Sequence, residues 1–431
     1  MTFEDRKKFD LWLRSYLSAC RQRGTVVYLD SQLEGHAASH RSYIASDPVD
    51  VVSTASGNRS WEVLREFRKK RPDWMFGWFS YDLKNEIERL VSENEDPVGL
   101  PDLYFFVPGT LLEVDRKSCE VHVLTGELPL GNSIPASQII PARQTMPETI
   151  HTASYRMGPL VSRDGWERYR RNVMKIMEYI TRGDTYEVNL THQLQAGFEG
   201  DSLDLFDAMK ETGPVPFAAW LSHGDVDVCC TSPERFLERT GGRVRSQPIK
   251  GTSPRGCDPD DDRKIISEIL NKEKNRAENV MIVDLVRHDL GKIALTGSVR
   301  TDALLEVQSF STVHQLVSTV SAQIAPGASS VDVIRACFPM GSMTGAPKIR
   351  TMEIIEELEA YRRGLYSGAI GYFKPNDDFD FNVVIRTAII KQKRLYYSVG
   401  GAITADSDPE EEWEESWLKA RALGLPHPAV K

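Results

Sequence analysis

Hydrophobic residues recur at helical spacing in several long segments of the chain. In residues 3–22 the apolar positions Phe9, Leu13, Tyr16 and Leu17 fall on one face of a helix. The same periodicity predicts helices over residues 61–70, 164–182, 258–270, 272–290, 346–359 and 408–422. The later helices are the longer and more strongly amphipathic ones.

Short runs rich in β-branched and aromatic residues separate these helices and predict strands. They cover residues 25–29, 74–81, 104–107, 110–114, 120–124, 187–195, 225–230, 235–240, 243–248, 368–373, 382–391 and 395–399. Several strands follow one another without an intervening helix, which favours antiparallel pairing over a doubly wound parallel sheet. The pattern therefore predicts an α+β fold.

A proline-rich segment divides the chain. Residues 128–148 contain four prolines, which is typical of an exposed linker and not of a packed element. We therefore predict two parts, residues 1–150 and residues 151–431.

The composition of the chain mainly excludes classes of partner and location. Acidic residues outnumber basic ones by 62 to 53, and the net charge of −9 argues against nucleic acid as a partner. No apolar run reaches the roughly 18 residues that a membrane span needs, and the charged N-terminus does not resemble a secretory signal. The six cysteines show no CxxC spacing, so the sequence predicts a reduced, cytoplasmic protein.

Lys250 is the first candidate for chemistry. It precedes Gly251 and Thr252 at the end of a predicted strand, where an amine can face a cleft and a glycine lets a ligand approach the backbone. A solvated loop lysine is the more ordinary interpretation of this motif, because an amine reacts only when burial or nearby cations lower its pKa.

Glu234 lies sixteen residues before Lys250, and Gly241-Gly242 between them predicts a hairpin. A two-residue turn would place Glu234 opposite Ile249, whereas a three-residue loop would place it opposite Lys250. Either register brings a carboxylate close to the amine. The two groups would then form either an acid and nucleophile pair or a surface salt bridge.

Carboxylates are the candidates for a metal site. Glu278 lies at the margin of the apolar stripe of a predicted helix, where exposed glutamates are also common. Seven carboxylates lie within the ten residues 406–415, and helical spacing stacks Glu412 or Glu411 with Glu415 one turn on and Lys419 another turn on. Such acids complement a helix dipole. They also suit Mg²⁺, which takes carboxylate, substrate and water oxygens.

Three further features are candidates for anion binding or catalysis. Residues 341–348 form a glycine-rich turn that lacks the order of a P-loop but whose amides can hold a carboxylate, and residues 400–402 offer similar backbone donors. Arg386 is a lone charge in an apolar strand and is best explained by a carboxylate partner or ligand. His314 taken alone is an ordinary core histidine.

The order of these motifs is specific. The segments SPERF, PIKGT, NRAENVMIVDLVRHDLG, GSMTGAPKIRTMEII, IRTA and GGAITADSDPEEEWEESWLKA follow one another in the second half of the chain. This half resembles the chorismate-utilising enzymes, which include anthranilate synthase component I, aminodeoxychorismate synthase component I, isochorismate synthase and salicylate synthase. The resemblance implies a two-part α/β sandwich of the anthranilate synthase component I type, with mostly antiparallel sheets flanked by helices.

The residue before Gly251-Thr252 separates the activities of this family. Lysine at this position, as at Lys250, is similar to the branch that aminates chorismate, whereas anthranilate synthases carry alanine. The resemblance therefore implies Mg²⁺-dependent, transaminase-type amination of chorismate at C4 on the route to 4-aminobenzoate and folate. Lys250 would attack C2 while Glu234 protonates the departing C4 hydroxyl.

The resemblance also implies the surrounding site. Mg²⁺ would bind Glu278 and Glu415 with Glu412 nearby, and His314 matches a family histidine connected with pyruvate elimination. The residues implied to bind chorismate are Gly251, Thr252, Thr344, Tyr366, Arg386, Gly400, Gly401, Ala402 and Lys419.

Partners follow from the same resemblance. The chain has no G-x-C-x-G glutaminase elbow, so ammonia is expected from a separate glutamine amidotransferase subunit. Ser31, Pro214 and Phe217 are similar to the amino-acid pocket of the family. The alternatives are an anthranilate synthase component I, an isochorismate synthase, and a non-catalytic amino-acid-binding homologue.

Overall fold

Helices begin and end the described part of the chain and recur through its second half. The computed structural model describes residues 1–3, 5–31, 41–55, 57–127, 155–310 and 312–424. Within these residues the α-helices are α1 (Arg6–Arg23), α2 (Ser60–Lys70), α3 (Gly165–Thr181), α4 (Ser202–Glu211), α5 (Pro259–Asn271), α6 (Glu273–Gly291), α7 (Ser330–Cys337), α8 (Lys348–Leu358) and α9 (Pro409–Lys419). The seven helices predicted from periodicity are confirmed, and the sequence pattern missed the short helices α4 and α7.

The strands are mostly short and follow one another in runs. They are β1 (Val26–Asp30), β2 (Ser42–Thr54), β3 (Met75–Phe79), β4 (Leu103–Asp115), β5 (Glu120–Thr125), β6 (Arg156–Met157), β7 (Val161–Ser162), β8 (Glu187–Glu199), β9 (Phe217–His223), β10 (Val226–Ser232), β11 (Arg235–Thr240), β12 (Arg243–Gln247), β13 (Ile249–Pro254), β14 (Arg300–Ser309), β15 (Val313–Gln323), β16 (Gly345–Ala346), β17 (Ala369–Phe373), β18 (Phe379–Asn382), β19 (Thr387–Lys391) and β20 (Arg394–Ile403). Every pairing between these strands is antiparallel, so the predicted fold class is confirmed.

Local sequence explains where the helices begin. Asp5 accepts a hydrogen bond from the amide of Lys7 at the start of α1, which is the usual role of an aspartate at an N-cap. Asp408 does the same at α9, where it accepts from the amides of Glu410 and Glu411. These caps satisfy amides that have no partner inside the helix.

The sheet has two halves that meet at β4. One edge of β4 pairs with β2, and this half continues through β1, β9, β10, β19 and β20 to β8. The other edge pairs with β3, and that half continues through β17, β18, β11 and β12 to β15. Strands from before and after the predicted boundary therefore share one sheet. The division into residues 1–150 and 151–431 stays a prediction, and the linker over 128–148 lies outside the described residues.

Four apolar clusters hold these layers together. One cluster lies between the two halves of the sheet and includes Trp78, Tyr104 and Val228. Two others pack helices against the sheet: α2, α6 and α7 cover one half, and α1 and α4 cover the other. The fourth joins α3, α8 and α9 to β8 and β20. Most of the largest fully buried side chains are aromatic, among them Trp61, Trp78 and Trp220.

None of the helices in the described ranges has the length and apolarity needed to cross a bilayer.

Candidate active site

A bulge in β13 determines where Lys250 points. Ile249 pairs with Val317 and Thr252 pairs with Gln315, so the strand carries one extra residue between the two pairs. Gly251 has a φ of 101°, which favours glycine over every other residue. A bulge breaks the regular alternation of side chains between the two faces of a strand. The Lys250 side chain therefore does not point where regular pairing of β13 would direct it.

Glu187 is the direct partner of Lys250. The distance between Lys250 Nζ and Glu187 Oε1 is 2.5 Å, and Glu187 is 1% exposed. The other carboxylate oxygen, Oε2, has no hydrogen-bond partner among the described residues. Burial alone lowers the pKa of Lys250, but the nearby carboxylates, led by Glu187, hold this pKa above its ordinary value. Lys250 is therefore an ammonium in the ligand-free site.

Sequence reasoning missed Glu187 as a site residue. It begins β8, a strand in which seven further residues in a row are buried. A carboxylate at the start of such a strand is the signal that could have identified it, since buried charges are rare unless paired.

Glu234 lies in the loop between β10 and β11 and is almost completely buried. The Ser342 hydroxyl donates a hydrogen bond to Glu234 Oε1 at 2.6 Å. Burial raises the pKa of Glu234 to about 7, although Ser342 and the positive charges of Lys250 and Arg386 act in the opposite direction. Such a carboxyl is half protonated near neutral pH, which suits a general acid.

Neither predicted register for Glu234 is correct. The hairpin between β11 and β12 has the two-residue turn Gly241-Gly242, with Thr240 paired to Arg243. An irregularity then shifts the pairing so that Arg235 lies opposite Gln247. The strands separate before Glu234, and its carboxylate reaches the charge of Lys250 from the loop.

His314 lies apart from this pair. It is 1% exposed, and its ring nitrogens contact Asp262 Oδ1 at 2.9 Å and Ser309 Oγ at 2.8 Å. Neither of these partners belongs to the predicted site. The structure therefore does not join His314 to Lys250 or Glu234 by a hydrogen bond, and its catalytic role stays a prediction.

The predicted metal carboxylates come from α6 and α9. Burial, together with the like charges of nearby carboxylates, raises the pKa of Glu278, whereas Lys419 lowers the pKa of Glu415. Glu415 Oε1 contacts Lys419 Nζ at 2.9 Å, which confirms the predicted stacking one helical turn apart. Glu412 is buried and accepts from Lys274 at 2.8 Å.

These carboxylates form an open group. No three His, Cys, Asp or Glu side chains within the described ranges lie close enough to hold a metal by themselves. Glu278 and Glu415 nevertheless repel each other, and a cation between them would remove that repulsion. Mg²⁺ typically takes one or two protein carboxylates and completes its coordination with substrate and water. The donor set therefore fits Mg²⁺.

The backbone at Gly401 faces two of the same carboxylates. A Cβ atom added there would lie 3.3 Å from Glu412 Oε2 and 3.7 Å from Glu415 Oε1. Lys419 also donates to the carbonyl of Gly400 at 2.7 Å. The absence of a side chain thus keeps this part of β20 open to a ligand.

Arg386 places a positive charge near Glu234. The predicted strand over 382–391 is interrupted, because β18 ends at Asn382, Arg386 has a φ of 50°, and β19 begins at Thr387. The carbonyl of Arg386 accepts from the amide of Thr231 at 3.1 Å, which fixes the backbone. Its guanidinium makes no ion pair with any described residue, and burial lowers its pKa. An anionic ligand would supply the missing partner.

The remaining residues predicted to bind chorismate have different surroundings. Tyr366 is buried beside the Arg363 charge. Thr344 is fully buried, and its hydroxyl donates to the carbonyl of Gly341 at 3.2 Å. Thr252 is exposed on β13. Their roles stay predictions.

Two of the three residues predicted for the amino-acid pocket line a common cavity. Ser31 and Phe217 border a cavity of about 50 Å³ together with Tyr43, Tyr372 and Asp380. Pro214 is not among its lining residues. The cavity lies where β1 and β9 approach β17 and β18.

The model of a family described as chorismate binding enzyme matches residues 20–424. The chain belongs to this family. Aminodeoxychorismate synthase from Streptomyces griseus is 48% identical over 267 residues, which cover 62% of this chain and 37% of the relative. Aminodeoxychorismate synthase component 1 from Salmonella typhimurium is 35% identical over 418 residues, covering 94% and 84%.

The family's fold is also found among solved structures. Anthranilate synthase component I from Streptococcus pneumoniae superposes with a TM-score of 0.77 at 28% identity, covering 91% of this chain and 94% of that one. The predicted sandwich of the anthranilate synthase component I type is therefore confirmed. As a chorismate binding enzyme, the chain spans less than half the length of the first curated relatives it matches.

Proposed function

We propose that this chain aminates chorismate at C4 to give 4-amino-4-deoxychorismate, for 4-aminobenzoate and folate biosynthesis. The observation that carries the proposal is the buried set of Lys250, Glu187 and Glu234. It supplies a nucleophile, a proton acceptor 2.5 Å from that nucleophile, and an acid with a pKa of about 7. The aminodeoxychorismate synthases among the relatives support the same assignment.

The first half of the reaction displaces the C4 hydroxyl. Lys250 passes a proton to Glu187, and the free amine attacks C2 of chorismate. The ring double bonds shift, the C4–O bond breaks, and the hydroxyl leaves as water with the proton of Glu234. The product of this half is a covalent adduct between Lys250 and C2.

In the second half of the reaction, ammonia replaces the Lys250 amine on the ring. Ammonia attacks C4, the double bonds return, and the bond between Lys250 and C2 breaks. Lys250 recovers its proton from Glu187, and Glu234 recovers one from the new C4 ammonium. Chorismate and ammonia are thus converted to aminodeoxychorismate and water, with every protein group restored.

Binding residues hold the dianionic substrate between these groups. Arg386 pairs with one carboxylate, and the amides of residues 400–402 and the Lys419 ammonium donate hydrogen bonds to the other. Glu278 and Glu415, with Glu412 nearby, would hold Mg²⁺, which when bound supplies positive charge to the ring carboxylate. Gly251, Thr252, Thr344 and Tyr366 complete the proposed substrate site, and His314 remains a candidate without a step in this scheme.

Ammonia comes in this proposal from a glutamine amidotransferase subunit in the cytoplasm. The name "component 1" of the Salmonella relative supports a two-component arrangement. Binding of an amino acid near Ser31, Pro214 and Phe217 is a separate proposal.

The test incubates the purified chain with chorismate, Mg²⁺ and a high concentration of ammonium, and identifies the product by mass. We expect aminodeoxychorismate without release of pyruvate. Anthranilate with pyruvate would instead support the second candidate, an anthranilate synthase, which the Streptococcus structure favours. Isochorismate would identify an isochorismate synthase. Binding of an amino acid without any turnover would support a non-catalytic homologue.

A further inference from the structure

Ser342 has no role in the reaction scheme above, yet its side chain hydrogen-bonds directly to the proposed acid, Glu234. It lies in the turn Gly341–Met343 and is 8% exposed. Its hydroxyl donates to Glu234 Oε1 at 2.6 Å, and this bond joins two segments that are 108 residues apart. A contact of this kind is short because the acceptor develops negative charge.

The turn that carries Ser342 has little freedom. The amide of Met343 donates to the carbonyl of Met340 at 3.1 Å, and the amide of Thr344 donates to that of Gly341 at the same distance. A Cβ added at Gly341 would lie 2.8 Å from Leu285 Cδ2, so the backbone is pressed against α6. The Ser342 hydroxyl therefore reaches Glu234 from a fixed position.

Several charged groups face the same carboxyl. Lys250 approaches from β13 and Arg386 from the loop between β18 and β19, and the amide of Ile249 also donates to it. Behind Glu234 lies a cavity of about 10 Å³, which Ser246 and Asp289 help to line. Arg386 and Lys250 are expected to engage the substrate, so Ser342 is the neutral side chain that stays with Glu234 throughout.

We propose that Ser342 is a positioning residue for Glu234. Its hydrogen bond orients the acidic proton of Glu234 and sets the pH above which Glu234 loses that proton. The proposal rests on the proposed function. Because Ser342 donates to Oε1, the proposal assigns the proton of the carboxylic acid to Oε2, which then donates it to the leaving hydroxyl. The same hydrogen bond stabilises the carboxylate, so its loss makes Glu234 hold its proton to a higher pH.

The first measurement does not depend on turnover. Selectively ¹³C-labelled glutamate in the full chain is titrated by NMR, with the Glu234 signal assigned from Glu234→Gln. We expect Ser342→Ala to raise the Glu234 midpoint by about one pH unit, the size of one charge-assisted hydrogen bond. Ser342→Thr keeps the hydroxyl and restores the midpoint, and Ser342→Cys, with a weaker donor, gives an intermediate value.

The second measurement is the pH profile of kcat/KM for chorismate at a constant concentration of free ammonia. The proton that Lys250 passes to Glu187 stays within that pair. The proton whose loss inactivates the enzyme is therefore the one on Glu234, so activity falls above the Glu234 midpoint. We expect the alkaline limb to move with the NMR midpoint in each variant. Ser246→Ala removes another buried hydroxyl of the same cavity and leaves both values unchanged.

The outcomes separate this proposal from the one on which it rests. An unshifted midpoint in Ser342→Ala, or an equal shift in Ser246→Ala, overturns the role of Ser342. If Ser342→Ala does not fold, the wild-type, Ser342→Thr and Ser342→Cys midpoints decide, and equal values for all three overturn it. A shifted midpoint in a chain that forms no aminodeoxychorismate would retain the hydrogen-bond effect and reject the proposed function.

Discussion

Glu187→Gln tests the proposed proton transfer between Lys250 and Glu187. The substitution has two effects on the reaction rate, and they act in opposite directions. The glutamine has the same shape, and its amide oxygen still accepts from Lys250 at the 2.5 Å contact. The charge is lost, however. Glu187 contributes most to raising the pKa of Lys250, so this pKa falls in the variant. Each unit of that fall gives about tenfold more free amine at a fixed pH below it.

Proton acceptance acts in the other direction. If Glu187 takes the Lys250 proton during attack, its loss removes a general base, which is typically worth about 10² to 10⁴ in rate. We therefore expect kcat to fall by about 10² or more at pH 7, with the KM for chorismate nearly unchanged. The free energy of unfolding is expected to fall by about 1 to 3 kcal/mol, since a charge-assisted hydrogen bond becomes a neutral one.

The assay compares single-turnover and steady-state formation of aminodeoxychorismate at saturating ammonium, with product identified by mass. Glu199→Gln is the matched control, because Glu199 lies on the same strand and is exposed. Thermal unfolding separates lost folding from lost chemistry. A kcat for Glu187→Gln equal to or above that of the wild type would refute proton acceptance and leave Glu187 with only an electrostatic role.

Three further predictions follow from the same geometry. Lys250→Ala should form no aminodeoxychorismate while circular dichroism shows a folded chain; continued turnover would remove Lys250 from the mechanism. Arg386→Gln should raise the KM for chorismate by about 10- to 100-fold, the value of a charge-assisted contact, and an unchanged KM would contradict anion binding there. Burial lowers the pKa of His192 from 6.5 to about 3. Between these values the unfolded state binds the extra proton, so His192 by itself should lower the free energy of unfolding by about 1.4 kcal/mol per pH unit on acidification. Because Glu234 also titrates in this range, the slope is measured by chemical denaturation as the difference between wild type and His192→Phe, and a difference that does not change with pH would contradict it.

Sequence periodicity predicted much of the fold because the helices follow local rules. Asp408 and Pro409 mark the start of α9, and helical spacing alone places Lys419 one turn from Glu415, as the 2.9 Å contact confirms. The antiparallel class also followed from the order of the strands. Local patterns do not contain the identity of each strand's neighbours, so the pairing of β1 with β9 could not be derived.

The site was harder to predict because its contacts are distant in sequence. Glu187 meets Lys250 across 63 residues, and Ser342 meets Glu234 across 108. The bulge at Gly251 and the irregularity after Arg235 each shift a strand by one residue, which moves side chains between faces. The motif order therefore predicted Lys250 and Glu234 as site residues but not Glu187 and Ser342, the side chains that hydrogen-bond to them.

The pairing of β1 with β9 and of β3 with β17 has a consequence for anyone who tries to express the second half alone. Removing the first 127 residues would leave the edges of β9 and β17 bare, and every residue of β17 is buried in the intact chain. Bare apolar edges recruit other chains, so such a fragment should aggregate instead of folding. Gly77 pairs with Gly371, about 290 positions away, and contacts this remote slow folding. The role of the first half should therefore be studied by point substitutions in the full chain and not by truncation.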